Sequence, residues 1–239
     1  MLVECGLLPT RSRARDAILR GDVQVDGTSA TKPSQMVGPD VKLEVSQDAT
    51  RYVSRGAFKL IAAVDAFGFE PQGCNALDIG ASTGGFSQVL LERGAMHVTA
   101  IDVGRDQLAD EIRNDNRVTV FEATDARHID RANIQGEITV IVADVSFISL
   151  TKALPAALEL AATGCWLVAL IKPQFEAGRD AIGKGGIVRD ESVRQRVVND
   201  IAAWLEARPG WNVAGVISSP IEGGDGNVEF LIGATYAKR

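Results

Sequence analysis

From residue 55 onward the chain alternates short apolar runs with longer helical stretches, and this alternation limits its possible folds more than any other feature. The runs cover residues 75–79, 98–101, 117–121, 139–143, 165–171, 213–218 and 229–234 and are rich in Val and Ile. They lack the polar alternation of a half-exposed sheet, so they predict strands covered on both faces. Helical stretches at 86–93, 150–162 and 191–207 lie between them, and a helix carrying Phe58, Leu60, Ile61, Val64 and Phe67 precedes them and ends near Gly68. Segments alternating in this way predict an α/β architecture with a mostly parallel, doubly wound sheet.

The first 50 residues follow another pattern. Ala14, Ala17, Ile18 and Leu19 form a helical stripe, with Ser12 as the expected N-cap and Gly21 as the stop. Val23 and Val25 alternate with Gln24, Asp26-Gly27 is a hairpin signal, and Val41, Leu43 and Val45 alternate again, so a small sheet is expected. The polar stretch at 46–52 reads as a linker. The expected division is a small α+β module at 1–46, a linker at 47–54 and the α/β domain at 55–239. A module this short has a marginal core and is expected to lean on its neighbour or to be incomplete.

Composition excludes several classes. Hydrophobic residues make up 46% and charged residues 23%, which is ample for a packed core and rules out wholesale disorder. The apolar run at 166–171 is six residues long, against roughly 20 needed to span a bilayer. No basic stretch followed by an apolar one opens the chain, so no signal peptide is expected. Three well-separated cysteines, Cys5, Cys74 and Cys165, suit a reducing compartment. With only two histidines, His97 and His128, a structural metal site is not expected. The expectation is a soluble cytoplasmic protein without metal or membrane contact.

The net charge of −6 conceals an asymmetry: residues 1–60 carry nine Lys/Arg against seven Asp/Glu, and the remainder sixteen against twenty-four. Arg11, Arg13, Arg15 and Arg20 are opposed locally by Asp16 alone. Such a patch either tracks nucleic-acid phosphates or is a solvated helix face.

Two motifs carry chemistry. In Leu77-Asp78-Ile79-Gly80-Ala81-Ser82-Thr83-Gly84-Gly85-Phe86 a strand runs through a glycine-rich turn into a helix, at the crevice where open α/β sheets bind ligands. Ser82 stands where a dinucleotide fingerprint has its second glycine, so the stretch fits better the looser loop used for S-adenosylmethionine. Asp102 ends the second strand, where a carboxylate can accept ribose hydroxyls, and Asp125 falls near a following strand end, where it is expected beside an adenine. The second motif is Ala143-Asp144-Val145-Ser146-Phe147 at the end of the fourth strand. It is either a variant of the Asp/Asn-Pro-Pro-Tyr/Phe loop of amino-group methyltransferases, without the prolines, or half of an acid–base set with Lys172, which ends the next strand. A structural salt bridge also accounts for a lysine at the end of an apolar strand. Glu229 is a further charge entering an apolar strand.

Taken together, Val53-Ser-Arg-Gly-Ala-Phe-Lys59, residues 78–86, Val142-Ala-Asp144-Val-Ser-Phe-Ile-Ser-Leu150, Ile171-Lys-Pro-Gln-Phe-Glu176 and Gly226-Asn-Val-Glu229 make the chain resemble the TlyA family. These are hemolysin-labelled ribosomal RNA (cytidine-2′-O)-methyltransferases related to FtsJ. Residues 12–27 look like the S-four RNA-binding domain that the family also has. The resemblance implies a Rossmann-like domain using S-adenosylmethionine, with ribosomal RNA or ribosomal subunits as partner. It implies a catalytic tetrad of Lys59, Asp144, Lys172 and Glu229, with Lys172 as base, Asp144 orienting it, and Lys59 and Glu229 positioning the nucleotide. It implies cofactor contacts from Asp78, Gly80, Ser82, Thr83, Gly84, Gly85, Phe86, Asp102 and Asp125, and RNA contacts from Arg11, Arg13, Arg15, Arg20 and Arg55. The family's N-terminal domain ordinarily has several more residues before the Leu-Val-Glu-x-Gly seen at 2–6, so the module is expected to be N-terminally short, with weakened RNA affinity.

Two other classes compete with this reading. A pore-forming hemolysin lacks support from any spanning or basic amphipathic segment. An RNA-binding or chaperone-like protein with a vestigial core is opposed by retention of all four charged residues. The glycine-rich stretch at 178–186 is either a substrate lid or a solvent loop.

Overall fold

The structure is a computed structural model that describes residues 1–178, 181–183, 185–223 and 226–238, with the side chains of Ser12, Asp16, Arg20, Gln47, Asp48 and Asn133 outside the description. The chain folds as two compact units, Met1–Arg55 and Gly56–Arg239.

In the first unit, helix α1 (Arg11–Arg20) is followed by strands β1 (Val23–Val25), β2 (Thr28–Ser29) and β3 (Leu43–Val45) and helix α2 (Gln47–Arg51). The strands form an antiparallel sheet in the order β2-β1-β3. Asp26 and Gly27 both have positive φ, 50° and 76°, the geometry that a two-residue hairpin requires. The N-cap of α1 is Thr10, whose hydroxyl accepts the amide of Arg13, and not Ser12, which lies inside the helix. Gly21, at φ 84°, ends the helix as expected. The stretch expected as linker begins with α2, and Ala49 and Tyr52 are buried there. Ala49 joins a small core with Leu2, Leu8, Ala14, Ala17, Val23 and Ala30. A polar sequence with one apolar face can pack as a short helix, which composition alone does not reveal.

The second unit begins with α3 (Gly56–Phe67), then β4 (Asn75–Ile79), α4 (Gly85–Glu92), β5 (His97–Ile101), α5 (Asp110–Arg113), β6 (Val118–Phe121) and β7 (Ile138–Ala143). It continues with α6 (Leu150–Ala153), α7 (Pro155–Glu159), β8 (Ala161–Ile171), α8 (Pro173–Glu176), α9 (Glu191–Glu206), β9 (Trp211–Ser218) and β10 (Phe230–Tyr236). The single helix expected at 150–162 is two short ones, because Pro155 starts α7 and the chain from Ala161 is already in β8.

The seven strands lie in the order β6-β5-β4-β7-β8-β10-β9. β4 to β8 pair in parallel, and β10 runs antiparallel to both of its neighbours. Strand side chains alternate between faces. Leu77 and Ile79 join a core with Leu150, Leu158, Val197, Ile201 and Leu205 of α6, α7 and α9, whereas Asp78 turns to Ser87 of α4 on the other face. Both faces are therefore covered, as the unalternating strands require. No helix among the described residues is long and apolar enough to cross a membrane.

Ile141, on the central strand β7, is fully buried in this core. Truncation removes its packing and leaves a cavity, so Ile141→Ala is expected to lower stability by about 2–5 kcal/mol, measured by urea unfolding.

Candidate active site

The order of connections reverses beside β4: the chain leaves it through α4 to β5 on one side, and β7 pairs with it on the other. Ligand crevices of open sheets form at such points, outside the carboxyl ends of the strands. Here Gly80 follows β4 and Asp144 follows β7, and the amide of Asp144 donates to the carbonyl of Ile79 at 3.0 Å. A Cβ on Gly80 would stand 2.6 Å from the Asp144 carbonyl oxygen, and its φ is +81°, so only glycine fits.

The turn after Gly80 is pinned to the next strand end. Gly80 and Ala81 donate their amides to the carbonyl of Ile101, and the amide of Ser82 donates to Asp102 Oδ2 at 2.8 Å. Asp102 Oδ1 accepts the amide of Gly104 at 2.7 Å. Gly80, Ser82, Asp102, Val103, Asp125 and Asp144 all line one cavity at this edge. Gln107 also lines it, on a segment held by Glu122, which accepts from the Arg113 guanidinium and from the amides of Asp106, Gln107 and Leu108. These donors hold the Glu122 carboxyl down to about 2.

Other residues expected at the cofactor stand behind the turn. Gly84 is buried at φ +96°, and a Cβ there would meet the Leu108 side chain at 2.9 Å, so this glycine serves helix packing. Gly85 and Phe86 are buried in α4, and the half-buried Thr83 accepts the amide of Ala109 with its carbonyl. Asp78 is fully buried; one oxygen accepts the Ser87 hydroxyl at 2.7 Å and the other has no hydrogen-bond partner among the described residues. Asp125, on the cavity wall, caps a 3-10 turn through the amide of Arg127 and pairs with its guanidinium at 2.5 Å, which holds its carboxyl down to about 2.

The four charged residues of the expected tetrad meet as two ion pairs. Lys172 Nζ lies 2.6 Å from Asp144 Oδ1, at the lip of the cavity. Lys59, on α3, places its Nζ 2.5 Å from Glu229 Oε2, and both side chains are nearly sealed, at 6% and 3% exposure. Glu229 stands one residue beyond the last pair of the β8–β10 ladder, where Phe230 faces Ile171, so it lies across from Lys172. Gly223 folds against it, and a Cβ there would approach Glu229 Oε1 to 2.5 Å.

Phe147, which ends the second motif but was not among the expected site residues, is 90% exposed, sits at φ 65° and tilts against Phe175 with ring centroids 5.0 Å apart. Its exposure and its conformation, rare for a non-glycine residue, became visible only once the backbone was known.

Of the expected RNA contacts in the first unit, Arg11 and Arg15 are exposed, while Arg13 and Arg55 are half-buried. Arg13 donates to the carbonyl of Tyr52, so it serves that unit's own fold. The side chain of Arg20 lies outside the described residues, as do residues 179, 180 and 184 of the glycine-rich stretch.

Burial pushes the Asp78 carboxyl from 3.8 up to about 7, so its ionisation opposes folding as pH rises through that interval. Asp78→Asn is expected to gain stability relative to the parent progressively between about pH 4 and pH 7, with no further gain above; thermal melts across that range check it.

Known proteins extend the geometry. The FtsJ-like methyltransferase model matches residues 52–236, and the S4 domain model matches residues 1–43. The chain is 46% identical over 232 residues to the 16S/23S rRNA (cytidine-2′-O)-methyltransferase TlyA of Mycobacterium tuberculosis, covering 97% of this chain and 86% of that one. It is 43% identical to Hemolysin A of Brachyspira hyodysenteriae, covering 95% and 94%. The structure of a hemolysin-named protein of Streptococcus thermophilus is 38% identical and superposes with a TM-score of 0.77 over 99% of this chain and 86% of that one. A match spanning the whole parallel sheet and all four paired charges leaves one assignment: the chain belongs to the FtsJ-like methyltransferase family and carries an N-terminal S4 domain.

Proposed function

We propose that this protein transfers a methyl group from S-adenosylmethionine to a ribose 2′-hydroxyl of ribosomal RNA, at a cytidine as in its TlyA relatives. The observation that carries this reading is the Lys172–Asp144 pair at the lip of the cavity beside the glycine turn.

The cavity residues suit the cofactor. Each Asp102 oxygen takes one backbone amide and keeps acceptor capacity for a ribose diol. Val103, 73% exposed on the same wall, offers an apolar face to an adenine. Gly80 lets the Asp144 backbone close against the turn, and the Asp144 carboxylate adds negative charge on the cavity wall beside it. Asp125 belongs to this wall through its position, with Arg127 as its present partner. S-adenosylmethionine brings a sulfonium-activated methyl group, which is electrophilic without further activation.

The chain must supply the rest. A ribose hydroxyl is a weak nucleophile until its proton is removed, and a positioned side chain within hydrogen-bond reach can accept that proton. Lys172 Nζ is the group placed to do so, with Asp144 orienting it and balancing the ammonium that forms. Lys59 and Glu229, sealed from solvent, act as a positioning pair: they fix the end of β10 across from Lys172 and contribute a constant field. The exposed ring of Phe147 offers a stacking surface for the acceptor nucleotide. Such an activity on ribosomal RNA operates in the cytoplasm, with ribosomal RNA or a ribosomal subunit as the partner.

Lys172→Ala is expected to abolish methyl transfer to ribosomal RNA while leaving S-adenosylmethionine binding by calorimetry unchanged. Lys172→Arg is expected to fail too, since a guanidinium stays protonated and cannot take up the hydroxyl proton. Substantial transfer by a folded Lys172→Arg protein would overturn the base assignment.

Arg11 and Arg15 are exposed on α1 and would meet RNA phosphates there. Replacing both with Gln is expected to weaken rRNA binding and to flatten the slope of log K against log salt by roughly 0.7–0.9 per lost contact, with cofactor affinity unchanged. An unaltered slope would make the helix a solvated face.

A further inference from the structure

Lys172 Nζ has a second neighbour besides Asp144: it donates to the hydroxyl oxygen of Ser146 at 2.9 Å. Ser146 lies two residues beyond Asp144 on the segment leaving β7, is exposed, and lines the same cavity. The next residue, Phe147, turns the chain at φ 65°, so the segment holding Asp144 and Ser146 ends in a conformation that few sequences adopt freely.

We propose that Ser146 is a positioning residue that aims Lys172 at the acceptor hydroxyl. The inference rests on the reading of Lys172 as the base. In the form that accepts a proton, an amine has two N–H bonds and one lone pair, disposed tetrahedrally. Ser146 at 2.9 Å takes up one N–H direction, while Asp144 Oδ1, 2.6 Å away, attracts the nitrogen without lying in line with an N–H. The lone pair is then turned away from Ser146. With Asp144 alone, the amine could rotate about its terminal C–N bond and present an N–H to the acceptor. When the hydroxyl proton arrives it forms the third N–H bond, and the ammonium keeps both earlier contacts, so no rearrangement accompanies the transfer. A hydroxyl suits this task because it accepts from nitrogen without adding a second negative charge beside Asp144.

Two Ser146 variants test this, each assayed on ribosomal subunits with saturating S-adenosylmethionine. Ser146→Ala is expected to lower kcat by about tenfold to a hundredfold, the scale of a misaimed catalytic group, with KM for RNA and calorimetric affinity for S-adenosylmethionine within about twofold of the parent. Ser146→Thr, which keeps the hydroxyl at an exposed position, is expected to restore most of the rate. In protein labelled with 15N-lysine, the Lys172 Nζ signal, identified by its loss in Lys172→Arg, is expected to show slowed proton exchange in the parent and in Ser146→Thr but not in Ser146→Ala. Unchanged kcat in Ser146→Ala would overturn the proposal, as would a loss confined to cofactor affinity or a Thr variant no better than Ala. Retained activity in Lys172→Ala would instead remove the base reading on which the proposal stands, so the two failures are separable.

Discussion

The close approach of two strand ends, β4 at Gly80 and β7 at Asp144, is the constraint on which the rest of the site depends. The Asp144 amide caps the carbonyl of Ile79, and the absence of a side chain at Gly80 lets the Asp144 backbone pass where a Cβ would clash at 2.6 Å. Once the two ends meet in this way, the turn must bend toward β5, where Ile101 and Asp102 receive its amides. The same contact sends the Asp144 carboxylate outward toward Lys172 at the end of β8. One steric requirement therefore builds both the cavity wall and the charged lip.

The two ion pairs differ in depth, and that difference divides their work. Taking a lysine and a glutamate out of water is costly, and removing one partner strands the other, at about 3–5 kcal/mol. Lys59 and Glu229 are in that position and behave as part of the scaffold. Lys172 and Asp144 are less sealed, at 11% and 23% side-chain exposure, and Asp144 lines the cavity. Four charges that look alike along the chain are thus an inner, sealed pair and an outer, partly exposed pair. The antiparallel hairpin of β9 and β10 makes this possible, because it brings Glu229 back to the edge of the sheet where β8 delivers Lys172.

The strands of the second unit were legible because burial on both faces leaves no alternative to continuous Val- and Ile-rich runs, and their ends carried the charges that now form the site. Boundaries failed where a local signal was outweighed. The helix expected to Ala162 stops at Glu159, since β8 needs the following residues to reach its parallel partner β7. The polar stretch after Ser46 folds as α2 because Ala49 finds a place in the small core. Ser12 was a sound cap by type, but Thr10 was one turn position better placed to receive the amide of Arg13.

The sequence by itself determined the α/β architecture, the glycine turn and the identities of Lys59, Asp144, Lys172 and Glu229, because hydrophobic period and residue type act locally. Only the tertiary structure decided which of these groups touch. It separated the glycines that shape the cavity from those that pack a helix, turned Asp78 inward to Ser87, committed Arg13 to the Tyr52 carbonyl, and brought Ser146 to Lys172. Each of these outcomes depends on the distance and direction between atoms far apart in the chain, which the order of residues does not encode until the sheet has set its register.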